Sequence, residues 1–232
     1  MKQTIYSNLL SIDCAGSVLS VALAHEDEII CTETDTKMKH SELIMDCIDS
    51  LLKKACIRQN DLNGILCMGG PGSFTGLRIG YSIAKGMALG LSIPFTVVPT
   101  LECIAFQNKE TVLAVIESRK NAFFYAFFND DKRLTDDRDA DITQIISEIR
   151  QINNKITLTG PGSVLIYDSS ANDIKNNLIL KQNNKGYAKE LISIAKKKKI
   201  MDNDNSANLY SGPEYIRESD AQAALNQSMN MK

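Results

Sequence analysis

A glycine-rich stretch between an apolar run and a helical pattern constrains this chain more than any other feature. It covers residues 69–80 and reads GGPGSFTGLRIG. The apolar run 64–68 before it predicts a strand, and the pattern after it predicts a helix that ends at Leu91. A strand, a glycine-rich turn and a helix in this order aim backbone N–H groups at whatever lies over the helix start, which suits an anion.

The amino-acid sequence of this turn differs from the motifs of the two common phosphate-binding loops. A P-loop requires a lysine after its last glycine, and the dinucleotide fingerprint requires Gly-x-Gly-x-x-Gly. Gly70 and Gly72 begin the fingerprint, but Thr75 stands at its third glycine position, and Gly76 comes one residue late. The residues alone therefore favour a tight strand-to-helix connection, with a phosphate site as the alternative.

The tetrapeptide Gly-Pro-Gly-Ser occurs twice, at 70–73 and at 160–163. Both copies follow a short β-prone run, and both lie downstream of a predicted hairpin whose first turn carries an acid, Asp13 or Glu117. The repeat predicts two related α/β lobes. The expected limits are an N-terminal lobe at 1–107, a degenerate second lobe at 108–205, and a segment at 206–232 that packs back on the first lobe and ends in a frayed tail.

Composition narrows the classes of function. The net charge of −2 disfavours a dedicated nucleic-acid binder. The lysine run 196–199 could touch RNA phosphates, although a solvated helix end is the more ordinary interpretation. No apolar stretch approaches the ~20 residues that span a bilayer, and no signal-peptide run follows the N-terminus.

The cysteines and histidines point to a reducing compartment and to no metal centre. The six cysteines form no Cys-x-x-Cys pair, and the two histidines, His25 and His40, lie far apart in sequence. This usage is typical of reduced thiols in a cytosolic protein rather than of a disulfide frame or a zinc site. No nucleophile–base pair is visible either, so we expect no catalytic and no metal-binding residues.

Two helices carry unusual faces. The helix at 40–56 has an apolar stripe wide enough to pack on the sheet and also to meet a neighbour. In the helix at 76–91, small residues recur every fourth position, in the rows 76-80-84-88 and 86-90. Glycine inside a helix costs ~1 kcal/mol relative to alanine, so these glycines indicate close approach to another helix or to the sheet.

Residues 70–80 also resemble the long signature of the TsaB (YeaZ) family. The resemblance is strong over residues 5–105 and thin over 110–205. Further short segments that are similar to the family's sequences occur at residues 10–13, 40–42, 84–90, 93–94, 100–102 and 213–217. The first turn, Asp13-Cys14-Ala15-Gly16, departs from a Thr-Ser-Thr-like run that is usual in the family, which removes hydroxyls that could bind a phosphate.

The resemblance implies a fold and a role. The fold class would be α/β, with two actin-like ATPase (ribonuclease-H-like) lobes, each a mixed sheet with flanking helices. The role would be that of a non-catalytic subunit in forming the threonylcarbamoyl group on the adenosine next to the anticodon of tRNAs that read codons beginning with A. Such a subunit scaffolds a catalytic paralogue (TsaD-like) and a small ATPase (TsaE-like).

The resemblance also implies a cellular setting. The protein would be cytoplasmic, would form a homodimer when alone, and would reach tRNA only through the complex, without a membrane. It would have no cofactor of its own, and ATP or ADP with magnesium would belong to the partner interface.

These expectations assign residues to two surfaces. The expected partner interface lies on the two helices and comprises His40, Leu43, Ile44, Cys47, Leu51, Gly76, Leu77, Gly80, Tyr81, Ile83, Ala84 and Lys85. The expected nucleotide contacts are Asp13, Gly70, Gly72, Ser73, Thr75 and Arg78. The alternative function is an actin-fold ATPase or kinase that uses Asp13 and the Gly70–Thr75 turn.

Overall fold

Two mixed β-sheets with flanking helices make up the structure, a computed structural model. It describes residues 7–35, 39–183, 185–202, 212, 213 and 216. Each sheet begins with an antiparallel hairpin and continues with parallel strands on the other side of the first strand. The predicted fold class is therefore confirmed.

The first sheet has the strand order β3-β2-β1-β4-β5. Two helices, α1 and α2, cover one of its faces, where apolar side chains of the strands and of both helices form one buried cluster. The elements of this lobe are β1 (Leu9–Asp13), β2 (Val18–His25), β3 (Glu28–Asp35), α1 (His40–Lys54), β4 (Gly64–Met68), α2 (Phe74–Leu91), β5 (Phe95–Val98) and α3 (Thr100–Ala105).

The second sheet has the order β11-β10-β6-β7-β8, and β9 also pairs with β7. Its strands and helices α4 to α6 enclose a separate apolar cluster. The elements are β6 (Thr111–Arg119), β7 (Ala122–Asn129), β8 (Lys132–Arg133), β9 (Arg138–Asp141), α4 (Ile142–Arg150), β10 (Ile156–Thr159), α5 (Ser163–Ser169), α6 (Asn172–Lys175) and β11 (Leu178–Lys181). The last helix, α7 (Ala188–Lys198), follows them in the chain.

The repeated tetrapeptide occupies equivalent places in the two lobes. Each copy follows the strand that pairs in parallel with the first strand of its sheet, and each leads into a helix. Gly70 and Gly160 have φ angles of 106° and 105°, a backbone region that favours glycine. The equivalence ends at Glu117, which the sequence placed in a turn and which lies inside β6 because that strand continues to Arg119.

Helix α7 returns to the first lobe. It packs on β1, β2, β3 and β4, and with α3 it fills the central core between the two sheets. The sequence-based limits put all of 108–205 in the second lobe, whereas the chain crosses back before Ala188 because α7 buries its apolar face on the first sheet. The expected packing of 206–232 lies almost wholly outside the described residues.

Polar contacts hold the crossing in place. Lys197 pairs with Asp131 and Lys198 with Glu102, both at 2.7 Å, so these two members of the lysine run make contacts within the molecule. Lys181 donates to the side chain of Asn108 at 2.7 Å, beside the link between the lobes. All six cysteines are free thiols, and no helix in the described ranges is long and apolar enough to cross a membrane.

Candidate functional site

Asp13 ends β1 at the bottom of a cleft between the lobes and is 3% exposed. Its Oδ1 accepts a hydrogen bond from the Ala15 N–H at 2.9 Å, and its Oδ2 accepts one from the Tyr187 N–H at 2.8 Å. Burial raises the pKa of Asp13 to about 6, although these two N–H groups oppose the shift by stabilising the carboxylate. Glu190 and Glu33 push the same pKa further upward.

The segment before α7 closes over this carboxylate. Gly186 runs so close to Ser20 that a Cβ atom there would overlap the Ser20 side chain, which explains the glycine. At the first residue of α7, the Ala188 carbonyl accepts a hydrogen bond from the buried Ser11 hydroxyl at 2.7 Å. Asp13 and Ser11 on β1 therefore anchor the start of α7, a contact across more than 170 positions that local sequence patterns do not predict.

The glycine-rich turn supports the Asp13 turn from behind. The Ser73 N–H donates to the Ala15 carbonyl at 2.8 Å, and the Ser73 hydroxyl caps α2 by accepting from the Gly76 N–H at 3.2 Å. A Cβ on Gly76 would lie 2.0 Å from the Cys14 carbonyl oxygen, so the first turn of α2 rests directly on the hairpin. The Ser73 and Gly76 N–H groups thus donate hydrogen bonds within the protein. This geometry agrees with a tight strand-to-helix connection rather than with a phosphate-binding loop.

A cavity of about 310 Å³ opens beside Asp13, between the lobes. Of the expected nucleotide contacts, only Asp13 lines it; Gly70, Gly72, Ser73, Thr75 and Arg78 do not, because the turn that carries them packs behind the hairpin. Arg78 instead lies over the Phe74 ring at 3.9 Å.

The residues around this cavity do not fit the triphosphate that an actin-like fold implies. The charged groups among the described lining residues are Asp13, Asp35 and the exposed Lys185. The two carboxylates repel a phosphate chain, and the one lysine is exposed, whereas proteins bind phosphate with converging arginine, lysine or helix N-termini.

Most of the expected interface residues are core residues of the first lobe. His40, Ile44, Leu51, Gly76, Leu77, Gly80, Tyr81 and Ala84 are buried, and the 76-80-84-88 row of α2 faces its own sheet. The physical reason is visible at Gly80, where a Cβ would lie 3.3 Å from Cys67 Sγ. Leu43, Cys47, Ile83 and Lys85 are partly exposed.

The second row of small residues points outward. A Cβ at Gly86 or Gly90 would meet nothing within 4 Å in the described structure, and Ser82 on the same side of α2 is exposed. Leu89 beside them is 67% exposed, and Met45 on α1 is 42% exposed. We name the exposed side of these helices, defined by Met45, Ser82, Gly86, Leu89 and Gly90, the outer helix face. The sequence contained its signal, the 86-90 spacing, but could not show which row faced outward.

The sequence of this chain is similar to proteins of tRNA threonylcarbamoyladenosine biosynthesis. A family described as "TsaD: tRNA N6-adenosine threonylcarbamoyltransferase" matches residues 32–166. The curated TsaB protein of Bacillus subtilis is 38% identical over 102 residues, which are 44% of each chain. TsaB of Escherichia coli is 33% identical over 129 residues, covering 53% of this chain and 56% of the relative. The chain thus spans about half the length of these curated relatives.

A solved structure extends the likeness to nearly the whole chain. YeaZ from Pseudomonas aeruginosa superposes with a TM-score of 0.77 at 20% identity, over 90% of this chain and 99% of that one. Two lobes of one mixed-sheet topology, joined across a cleft, define a protein of the actin-like ATPase (ribonuclease-H-like) fold. The match over residues 32–166, together with the TsaB relatives, identifies the chain more closely: it belongs to the TsaB (YeaZ) family.

Proposed function

We propose that this protein is a cytoplasmic, non-catalytic subunit that is required for threonylcarbamoyladenosine formation in tRNA. The observation that carries the proposal is that its relatives in Bacillus subtilis and Escherichia coli are named "tRNA threonylcarbamoyladenosine biosynthesis protein TsaB". The modified base would be the adenosine next to the anticodon in tRNAs that read codons beginning with A. The chain would scaffold a TsaD-like catalytic paralogue and a TsaE-like small ATPase, and it would form a homodimer when alone.

The outer helix face supports a docking role. Leu89 and Met45 expose apolar side chains that a monomer gains nothing by exposing. The glycines beside them let another helix approach the α2 backbone closely, at the cost in helix stability noted above. The partly buried Leu43, Cys47 and Ile83 would extend the contact at its border.

The cleft supports a role without nucleotide chemistry of its own. Among the described lining residues no arginine stands beside Asp13 to hold a phosphate chain, and the one lysine, Lys185, is exposed. In this proposal, any ATP or ADP with magnesium binds at the interface with the partner. Calorimetry of the isolated chain with ATP and magnesium tests this part, and tight binding there would contradict it.

The docking role is tested by charge insertion. Leu89→Glu should weaken binding to the TsaD-like paralogue from the same organism at least tenfold, because an interface would bury an unpaired carboxylate. The matched control is Leu165→Glu on the second lobe, where the leucine is 46% exposed. Glutamate at the buried Tyr81 would unfold the lobe and would be uninformative.

Two readouts decide the outcome. The first is the dissociation constant of each variant for the paralogue, together with a circular dichroism spectrum that shows a folded protein. The second is the tRNA threonylcarbamoyladenosine content, by mass spectrometry, of cells in which the variant replaces the native subunit. Equal binding by Leu89→Glu and Leu165→Glu would refute the outer helix face as the docking site.

A further inference from the structure

The interlobe cavity contains buried polar groups that the fold leaves unsatisfied. Thr100, at the start of α3, lines the cavity and is 3% exposed, yet its Oγ1 has no hydrogen-bond partner among the described residues. The Tyr187 hydroxyl is buried at the same cavity, where the Asn183 side chain is its polar neighbour. Buried hydroxyls without partners are costly, so a site that keeps them indicates a ligand or ordered water.

The charge around these hydroxyls is negative. Asp13 lines the cavity at its buried end and Asp35 at the exposed end of β3. The adjoining groove carries Glu33 and Glu190. The lysines of this region, Lys185 and Lys189, are exposed at the surface, where water screens them more than it screens the buried carboxylate.

Apolar side chains complete the wall. Ile104 from the first lobe and Ile116 from the second line the cavity together with Pro161 of the second tetrapeptide. Each Asp13 oxygen accepts one backbone N–H, and a carboxylate oxygen has a second lone pair to offer. The cavity thus combines carboxylate and hydroxyl acceptors with an aliphatic surface.

We propose that this cavity binds a small primary ammonium compound with a short aliphatic chain. Its ammonium group donates to Asp13 and to the Thr100 hydroxyl, and its methylene groups lie against Ile104 and Ile116. The three N–H donors of an ammonium match acceptors that the fold has left open. The ligand joins residues of both lobes, and it differs in charge from the nucleotides that actin-like proteins bind in this cleft. The site is independent of the outer helix face, so neither proposal depends on the other.

The experiment uses the full chain and three probes. Propylammonium chloride is the test ligand, propan-1-ol has the same chain without the charge, and magnesium-ATP represents the nucleotide alternative. Binding is followed by ¹H–¹⁵N NMR, with the amides of Ala15 and Tyr187 as reporters because both donate to Asp13. We expect propylammonium to shift both amides with a dissociation constant on the order of 1 mM.

Variants separate the groups that carry the site. Asp13→Asn should weaken propylammonium binding at least tenfold, and Thr100→Val should weaken it about threefold. Ile116→Trp should abolish binding by filling the cavity. The control Asp46→Asn removes an exposed α1 carboxylate and should change nothing. Should Asp13→Asn fail to fold, Thr100→Val and Ile116→Trp still decide. Equal binding of propan-1-ol, tighter binding of magnesium-ATP, or absence of any shift with propylammonium would each overturn the proposal.

Discussion

Two glycines of α2 should respond in opposite directions to the same substitution. A Cβ at Gly86 would meet nothing within 4 Å, whereas a Cβ at Gly76 would lie 2.0 Å from the Cys14 carbonyl oxygen. Alanine at both positions removes the helix-propensity cost of glycine. Only at Gly76 does it also force the helix away from the hairpin.

The magnitudes follow from these contacts. Gly86→Ala should raise the free energy of unfolding by about 1 kcal/mol. For Gly76→Ala, a carbon–oxygen contact needs ~3.3 Å, so the first turn of α2 must retreat by more than ~1 Å. Overpacking of this kind costs about 1–3 kcal/mol, and loss of the Ser73 N–H bond to the Ala15 carbonyl costs about 1 kcal/mol more. After the propensity gain of about 1 kcal/mol, the expected loss is about 1–3 kcal/mol.

Urea denaturation followed by circular dichroism measures both values. With a slope of roughly 2 kcal/mol/M, the two midpoints should differ by about 1 M or more. Near-equal midpoints, or a more stable Gly76→Ala protein, would show that α2 does not rest on the Cys14 carbonyl. Gly86→Ala also tests the docking surface. A methyl group on the outer helix face should weaken binding to the paralogue while it stabilises the monomer.

Further predictions concern the return of the chain to the first lobe. Because burial raises the pKa of Asp13 from 3.8 to about 6, its protonated form stabilises the fold below pH 4, and that contribution of about 3 kcal/mol is lost as pH rises through 6. The stability of wild type relative to Asp13→Asn should therefore fall between pH 4 and 7, and a constant difference would contradict the shift. Ser11→Ala should cost about 1 kcal/mol in urea denaturation by removing a buried bond to α7, whereas the exposed Ser193→Ala should stay within about 0.5 kcal/mol. Lys198→Gln should cost about 0.5 kcal/mol at low salt and nothing measurable in 1 M salt, since its pair with Glu102 is partly exposed.

Local patterns in the sequence predicted the main strands and helices and the repeat, but not β8, β9, α5 or α6. Nearly continuous apolar runs marked β2 and β7, the wide stripe marked α1, and the second Gly-Pro-Gly-Ser marked the end of β10. Each of these signals lies within about 20 neighbouring residues, where side-chain period and turn chemistry are directly readable. The family signature confirmed the same two-lobed plan.

The errors arose where a role depends on residues far apart in the chain. Spacing by four showed that Gly76 and Gly80 lie in one row of α2 and Gly86 in another. Packing decides which row is buried, and it buries the row of Gly76 and Gly80. Likewise, Asp13 could be seen as a strand-end acid, whereas its partner Tyr187 stands 174 positions away. Periodicity gives a helix its faces, and only tertiary packing assigns those faces to core or solvent.

The return of α7 has a consequence for biosynthesis. The face of the first sheet that α7 covers includes Leu9, Ala22, Ala24 and Leu66, all of which leave the ribosome long before Ala188 does. Until then, an apolar surface of the nascent first lobe has no cover, a state in which chains aggregate or recruit chaperones. A fragment that ends at residue 107 would keep this surface permanently. The first lobe is therefore complete only after α7 has been synthesised and has returned to it.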